Sequence, residues 1–85
     1  MRWTVIIKPS AEQELAAIWL NAMDQQSVTN ASDSIDQLLR RDPLHAGESR
    51  EGNTRVVIVR PLTINFEVLE EDRLVRILRV HYNKR

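Results

Sequence analysis

The sequence predicts an α+β fold of order β-α-α-β-β-β, in which an antiparallel C-terminal sheet packs on an N-terminal helical hairpin. Apolar residues recur every three or four positions through residues 10–41, which is the period of a helix buried along one side. From residue 55 onward the chain is rich in Val, Ile and Leu, with connections short enough only for antiparallel hairpins. With 85 residues, of which 42% are hydrophobic and 28% charged, we expect one domain over residues 1–85.

The first strand and the first helix follow each other closely. Residues 3–7 are β-branched and aromatic and predict a strand, which Pro9 ends because proline cannot donate to a ladder. Ser10 followed by Gln13 is a capping-box pattern, so the first helix is expected over residues 10–22. Its apolar positions are Ala11, Leu15, Ile18, Trp19 and Ala22, and its outer face is expected to carry Glu12, Glu14 and Asn21.

A second helix is predicted over residues 25–41, because the apolar spacing resumes there and Asp42-Pro43 then stops it. Residues 44–53 hold both glycines and have no periodicity, which indicates a loop. Three strands are expected after it, over residues 55–60, 63–69 and 73–82.

The middle one of these three strands alternates most clearly between apolar and polar residues, so one of its faces should cover the helices. We therefore predict one core cluster between the hairpin and the sheet. Its members are Trp3, Val5, Leu15, Ile18, Trp19, Ile35, Leu38, Ile64, Phe66, Val68, Leu78 and Val80.

The charges are divided unevenly along a chain whose formal net charge is zero. Residues 1–49 carry four basic and seven acidic side chains, whereas residues 50–85 carry eight basic and five acidic ones. Such an asymmetry is typical of a surface that binds nucleic acid or an acidic partner, and it is also typical of a sheet with solvated arginines.

The outer face of the sheet is the candidate site for chemistry. If Leu78 and Val80 face the helices, Arg79 and His81 lie on the outer face. Arg55, Asn65 and Glu67 are expected beside them. RNA cleavage by a 2′-hydroxyl requires a base, an acid and a cation for the phosphate, and a histidine titrates near pH 6.5. A surface histidine without a catalytic role is the alternative.

Several function classes are excluded by what the sequence lacks. Without cysteine there can be no disulfide scaffold, zinc–thiolate site, iron–sulfur cluster or catalytic thiol. Two histidines without an acidic residue at ligand spacing predict no metal site, and no phosphate-binding or cofactor motif is present. No apolar run approaches the roughly 20 residues of a membrane-spanning helix, so we expect a cytoplasmic protein without a membrane partner.

The order of elements and several segments together resemble the toxins of the RelE/ParE superfamily. Residues 3–18 resemble the opening strand, turn and helix of that family, with its "A-x-x-(D/E)-L-x-x-I" pattern beginning at Ala11. Asp42-Pro43-Leu44 is similar to the "x-P-L" that follows the family's second helix. The three C-terminal strands resemble its closing sheet, whose last strand commonly ends near a histidine and basic residues.

The resemblance implies the toxin of a type II toxin–antitoxin module that a cognate antitoxin neutralises. RelE-like members cut messenger RNA in the ribosome, whereas ParE-like members poison DNA gyrase. For nuclease activity the resemblance implies Arg55, His81 and Tyr82 as catalytic residues, and Arg79, with Arg60 as the alternative, would replace an arginine that nuclease members have in the third strand. However, nuclease members often read "Arg-Val-x-Tyr" where this chain has Thr63-Ile64-Asn65-Phe66. We therefore expect a protein on the ParE or plasmid-stabilisation side of the family. A RelE-type endoribonuclease and a non-catalytic interaction module are the alternatives.

The last strand is the expected antitoxin-binding segment, because it is apolar on both faces and carries arginines along its length. An acidic antitoxin tail with an apolar stripe would dock beside it, with carboxylates steering the approach. The residues expected to bind it are Leu74, Arg76, Leu78, Arg79, Val80 and Tyr82.

Overall fold

The structure is a computed structural model that describes residues 2–83. In chain order its elements are β1 (Thr4–Ile7), α1 (Pro9–Asn21), α2 (Gln25–Arg41), β2 (Glu48–Ser49), β3 (Thr54–Val59), β4 (Leu62–Leu69) and β5 (Leu74–Tyr82). The predicted α+β order is confirmed, with one addition. The two-residue strand β2 lies within the segment that the sequence predicts to be a loop. Lys84 and Arg85, part of the basic C-terminus, lie outside the described residues.

The five strands form one mixed sheet in the order β1-β5-β4-β3-β2. Strands β2 to β5 pair with antiparallel neighbours, whereas β1 lies parallel to β5 at one edge. Helix α1 packs against β5, and α2 lies over β1, β3 and β4. One face of the sheet is therefore covered by the hairpin, and we call the other its outer face.

The first helix begins differently from the prediction. Its first residue is Pro9, preceded by Lys8 as an N-cap that makes no side-chain bond, so Ser10 lies inside the helix and the predicted capping box is wrong. Proline is favoured at the first helical position because its fixed φ suits the helix and its missing N–H would be unpaired there anyway. The second helix has the predicted bounds, and Asp24 caps it by accepting a hydrogen bond from the Ser27 N–H at 3.1 Å.

A glycine allows the short strand β2 to approach β3. Gly47 has φ near +63°, a conformation that glycine adopts without steric cost. A Cβ at this position would overlap the carbonyl oxygen of Val56, which pairs with Glu48 of β2. The residue therefore has to be glycine for two separate reasons.

The core lies between the helical hairpin and the inner face of the sheet. Six residues of the predicted core are buried there: Trp3, Ile35, Ile64, Phe66, Val68 and Val80. Four more pack against it while partly buried: Val5, Leu15, Ile18 and Leu38. The core also contains residues outside the predicted set, among them Leu62, Val75 and Ile77. The predictions for Trp19 and Leu78 are wrong.

Trp19 is 40% exposed and is not part of the core cluster. Its indole N–H donates a hydrogen bond to the hydroxyl of Thr29 on α2, with 3.1 Å between nitrogen and oxygen. Residues 15–20 are all apolar, so in this part of α1 apolar side chains lie on every face of the helix. Only some of them can face the sheet, and the spacing alone does not select which. Trp19 therefore closes the gap between the two helices instead of filling the core.

Candidate functional site

The outer face of the sheet carries rows of polar side chains across β4 and β5. Directly paired residues share a face, so three pairs of β4 and β5 define this surface: Thr63 with His81, Asn65 with Arg79, and Glu67 with Arg76. The apolar side chain of Ile58 on β3 continues the first row and is 60% exposed. The expected grouping of Asn65, Glu67, Arg79 and His81 on one face is confirmed by the register.

A β-bulge in β5 changes which of its residues face the helices. The register shifts between Asn65 and Phe66, which pair with Arg79 and Ile77, so Leu78 has no direct partner on β4. The extra residue shifts the alternation by one position, and Ile77 and Val80 are both buried. Leu78 instead lines a shallow cavity on the outer side with Ile6 and Arg76. The expectation that Leu78 faces the helices is therefore wrong.

Arg55 lies on the opposite face from the one expected. It pairs with Phe66, which is fully buried, and its side chain therefore projects toward the helices. The guanidinium donates hydrogen bonds to the carbonyl oxygens of Ala46 at 2.9 Å and Gly47 at 3.2 Å. Arg55 thus stabilises the loop before β2 through these hydrogen bonds, and it is not part of the outer face.

Tyr82 also lies on the helix side of the sheet. It pairs with the buried Leu62. It also lines a shallow cavity of about 270 Å³, together with residues in and just after α1: Ala17, Ile18, Asn21 and Ala22. His81 precedes it and is exposed on the outer face. The four residues implied for a nuclease are therefore divided: Arg55 and Tyr82 lie on one side of the sheet, and Arg79 and His81 on the other.

A carboxylate of α1 holds the free edge of β5. Strand β1 covers β5 only as far as Ile77, so the next backbone groups of β5 have no strand partner on that side. Glu14 accepts a hydrogen bond from the Val80 N–H at 2.8 Å and one from Arg79 Nε at 2.9 Å. The Val80 N–H lowers the pKa of Glu14 most; partial burial opposes the shift, and Arg79 and His81 lower the pKa further.

Glu14 was expected on the solvated side of α1, and sequence reasoning missed its role. Its spacing relative to Leu15 and Ile18 indicates only that it flanks the apolar stripe. Its partners are accessible because β1 pairs with β5 only as far as Ile77, and the pattern of β5 does not reveal how far that pairing extends.

The two arginines of the outer face are neutralised within the fold. Arg76 forms a salt bridge with Glu67 at 2.8 Å, and Arg79 forms one with Glu14 at 2.9 Å. A phosphate bound here would have to displace or overcome a carboxylate at each arginine, since like charges at close range repel. The outer face therefore suits contacts with a protein better than contacts with a nucleic-acid backbone.

Other kinds of site are not found in the described part of the chain. Within residues 2–83 no group of three or more His, Asp or Glu side chains could hold a metal ion. The helices of that part are too short or too polar to cross a membrane.

Among the residues expected to bind an antitoxin, Val80 is buried and unavailable to a partner, whereas Leu74, Arg76, Leu78, Arg79 and Tyr82 retain some exposure.

Comparison with known proteins identifies the fold. No protein-family model and no curated protein matches the sequence. A chain of the RelBE2 toxin–antitoxin complex of Mycobacterium tuberculosis is similar to the structure, with a TM-score of 0.79 and 21% identity over 98% of this chain and 100% of that one. A chain of the ParDE system of P. aeruginosa has a TM-score of 0.68 and 20% identity, over 96% and 97%. The chain has the RelE/ParE fold.

The isolated RelE toxin of E. coli is similar as well, with a TM-score of 0.71 and 14% identity over 98% of this chain and 86% of that one. The fold implied by the sequence resemblance is thereby confirmed. At these identities the likeness is one of backbone architecture. The function therefore has to be argued from the side chains that this RelE/ParE fold carries.

Proposed function

We propose that this chain is the toxin of a type II toxin–antitoxin module and that it acts in the ParE manner, by binding a protein target. The RelE/ParE fold supports the toxin role, since similar chains come from complexes described as toxin–antitoxin complexes. Its partners are then a cognate antitoxin and DNA gyrase, and its place of action is the cytoplasm. A role in plasmid stabilisation belongs to the same proposal.

The separation of the nuclease-type residues is the observation that favours a protein target over RNA. General acid–base cleavage requires its groups within hydrogen-bond reach of one phosphate. Here Arg55 is bonded to two backbone carbonyls on the helix side, and Arg79 is paired with Glu14 at the edge of the outer face. Among residues 2–83, Arg76 and Arg79 of the outer face are each paired with a carboxylate, so neither is a free cation for a phosphate.

Induced expression, with and without the neighbouring small reading frame, tests the proposal. We expect growth arrest that the neighbouring frame relieves, and purified protein should inhibit supercoiling by gyrase. Primer extension on cellular messages should give the same stops before and after induction. New cleavage stops in ribosome-associated messages would establish the RelE-type nuclease instead, and absence of any growth effect would leave only the interaction module.

Arg79 provides a variant that probes the surface itself. We expect Arg79→Ala to relieve growth arrest, since it removes the exposed cation at the edge of the outer face. Arg50→Ala is the matched control, because Arg50 is also exposed and also paired with a carboxylate, that of Glu48, but lies at the far edge of the sheet. Equal toxicity of both variants and the unaltered protein would move the target-binding surface away from β5.

A further inference from the structure

A cleft opens at the edge of the sheet, between β1 and α2. We call it the β1 cleft; its volume is about 230 Å³. Its floor is apolar and is formed by side chains of the core, among them Ile35, Leu62, Ile64 and Ile77. Its rim on the side of α2 is a row of residues one helical turn apart: Ser32, Asp36 and Arg40. The cleft thus combines an apolar floor with a polar rim.

The other rim of the β1 cleft is the backbone of β1. The N–H groups of Thr4 and Lys8 donate to carbonyls in and just before β5, at 3.0 and 2.9 Å. Backbone groups of successive residues in a strand point to opposite sides. Those of Val5 and Ile7 therefore point away from β5, toward the edge of the sheet. Since β1 is the outermost strand, no strand among residues 2–83 pairs with them there.

Three polar groups at the two rims are available to a ligand: the Val5 carbonyl, the Ile7 N–H and the Ser32 hydroxyl. None of them forms a hydrogen bond with another residue in the described part of the chain. The carbonyl and the N–H point in the same direction, so one molecule that donates and accepts at neighbouring atoms can bond to both. A mostly apolar cavity with a few such groups is the usual form of a small-molecule site.

The charges at the rim favour a ligand without charge. Asp36 and Arg40 form a salt bridge at 2.9 Å, and both side chains are partly exposed. A charged ligand would have to compete with one member of this pair for the other, whereas an uncharged ligand leaves the pair intact. Moving a charge onto the apolar floor is also costly.

The ends of the β1 cleft limit the length of the occupant. At one end the Trp3 N–H donates to the Arg40 carbonyl at 2.8 Å, so α2 lies against the edge of β1. At the other end α1 begins at Pro9. The edge that remains extends from Val5 to Ile7, roughly 10 Å at about 3.3 Å per residue. A typical strand has about 5–6 residues and is too long for it.

The volume of the β1 cleft fits a molecule of two fused rings. A cavity of about 150 Å³ holds one benzene ring, and the β1 cleft is larger at about 230 Å³. In a cyclic amide the N–H and the carbonyl lie side by side on one edge of the ring. Such a molecule can therefore place its ring on the floor while its edge meets the backbone of β1.

We propose that the β1 cleft binds a small, uncharged cyclic amide. The N–H of the ligand donates to the Val5 carbonyl, its carbonyl accepts from the Ile7 N–H, and its ring covers the apolar floor. The Ser32 hydroxyl remains for a further polar atom of the ligand. The proposal does not depend on the toxin function, since the cleft lies apart from the outer face and its test requires no toxicity.

Three bicyclic probes test the proposal with the full chain in NMR titrations that resolve each backbone amide. Oxindole has both the N–H and the carbonyl, N-methyloxindole lacks the donor, and indane lacks both groups. We expect oxindole to bind about three- to tenfold more tightly than N-methyloxindole, because one hydrogen bond is lost, and indane to bind most weakly. The Ile7 amide proton should move downfield with oxindole, whereas that of Ile6, which points toward β5, should move less.

Two variants of α2 locate the site. Ser32→Trp places a large ring at the mouth of the cleft and should abolish oxindole binding. Ser34→Trp is the matched control, because Ser34 lies on the exposed side of the same helix and should leave binding unchanged. Neither position belongs to the core, so both variants are expected to fold.

Several results would overturn the proposal. Equal affinities of oxindole and N-methyloxindole would exclude the hydrogen bond to the Val5 carbonyl. Undiminished oxindole binding by Ser32→Trp would place the ligand elsewhere. A capped tetrapeptide of alternating valine and threonine that binds more tightly than oxindole, with the same shift of the Ile7 amide, would assign the edge to strand pairing instead.

Discussion

The outer face of the sheet and the apolar groove between α1 and α2 are both exposed, but their charges are arranged in opposite ways. The groove is lined by Leu15, Trp19, Leu20, Glu12 and Asp33 among others. On the outer face Arg76 and Arg79 each lie within 3 Å of a carboxylate of the same chain. In the groove Glu12 and Asp33 have no such partner among the described residues, and the surrounding segment contains no cation. The count of charged residues suggests a basic sheet. However, Arg76 and Arg79 are paired, whereas Glu12 and Asp33 in the groove have no salt-bridge partner among the described residues.

The comparison shows why the charge split along the sequence is a poor guide to binding. Part of the positive charge of the C-terminal half is neutralised by acidic residues elsewhere in the chain. Glu14, which pairs with Arg79 from 65 residues earlier in the sequence, is the clearest example. Long-range electrostatic steering depends on the field that remains after such pairing. The predictions below therefore consider variants of the shared core separately from variants of the two surfaces.

The largest expected effect concerns the core that supports both surfaces. Phe66 is fully buried between the hairpin and the sheet. Phe66→Ala should lower the free energy of unfolding by about 3–5 kcal/mol, because it removes buried apolar area and leaves a cavity. Urea denaturation followed by circular dichroism measures it. Such a loss is a large share of the stability of a small domain.

Ile58→Ala is the control for Phe66→Ala, since Ile58 lies on a neighbouring strand with its side chain 60% exposed on the outer face. Its substitution should change stability by no more than about 0.5 kcal/mol. Similar losses in the two variants would mean that the inner and outer faces have been assigned incorrectly, and the comparison of the two surfaces would then fail.

The elements with a clean period were predictable from the sequence. In β4 apolar and polar residues alternate from Leu62 to Val68, and the six residues at 63–68 lie on the predicted faces. In α2 the stripe of Val28, Ala31, Ile35 and Leu39 is buried as its spacing indicates, since apart from Leu38 and the stripe itself the helix is almost entirely polar. In such segments one orientation buries the apolar residues and all others expose them, so the pattern determines the packing.

The candidate site was less predictable, for a physical reason that Leu78 and Arg55 illustrate. Residues 74–80 include apolar residues on both faces, so a one-residue bulge leaves no trace in the pattern. The face of Arg55 depends on its register with β4, because a slip of one residue moves every side chain of a strand to the other face. Neither feature has a local sequence signal in this chain.

A smaller effect is expected from removing the contact between Glu14 of α1 and strand β5. Glu14→Ala removes the acceptor of both the Val80 N–H and Arg79 Nε. We expect a loss of about 1–2 kcal/mol, discounted because the Glu14 side chain remains partly exposed. Glu12→Ala lies two residues earlier on the same helix and has no salt bridge among residues 2–83, so it should change stability little and control for helix propensity.

The pH dependence distinguishes the charge of Glu14 from its packing. The pKa of Glu14 is lowered from its ordinary value of 4.5, chiefly by the Val80 N–H. The folded state therefore favours the charged form, and this stability is present above that value and is lost as the pH falls through the folded pKa. The difference between Glu14→Ala and the unaltered chain should shrink in acid urea titrations. A difference independent of pH would assign the effect to packing.

The smallest expected effect tests whether pairing on the outer face is energetically real. Glu67 and Arg76 lie on adjacent strands at directly paired positions, and the Glu67 side chain is the less exposed of the two. A double-mutant cycle with Glu67→Gln and Arg76→Gln should give a coupling of about 0.5–1 kcal/mol, at the upper end for surface pairs because Glu67 is partly shielded from water. The pair of Glu48 and Arg50 is more exposed at both ends and should couple near zero. If the two cycles gave the same coupling, Arg76 would be as available to an incoming partner as Arg50, and the outer face would regain the open positive charge that its geometry argues against.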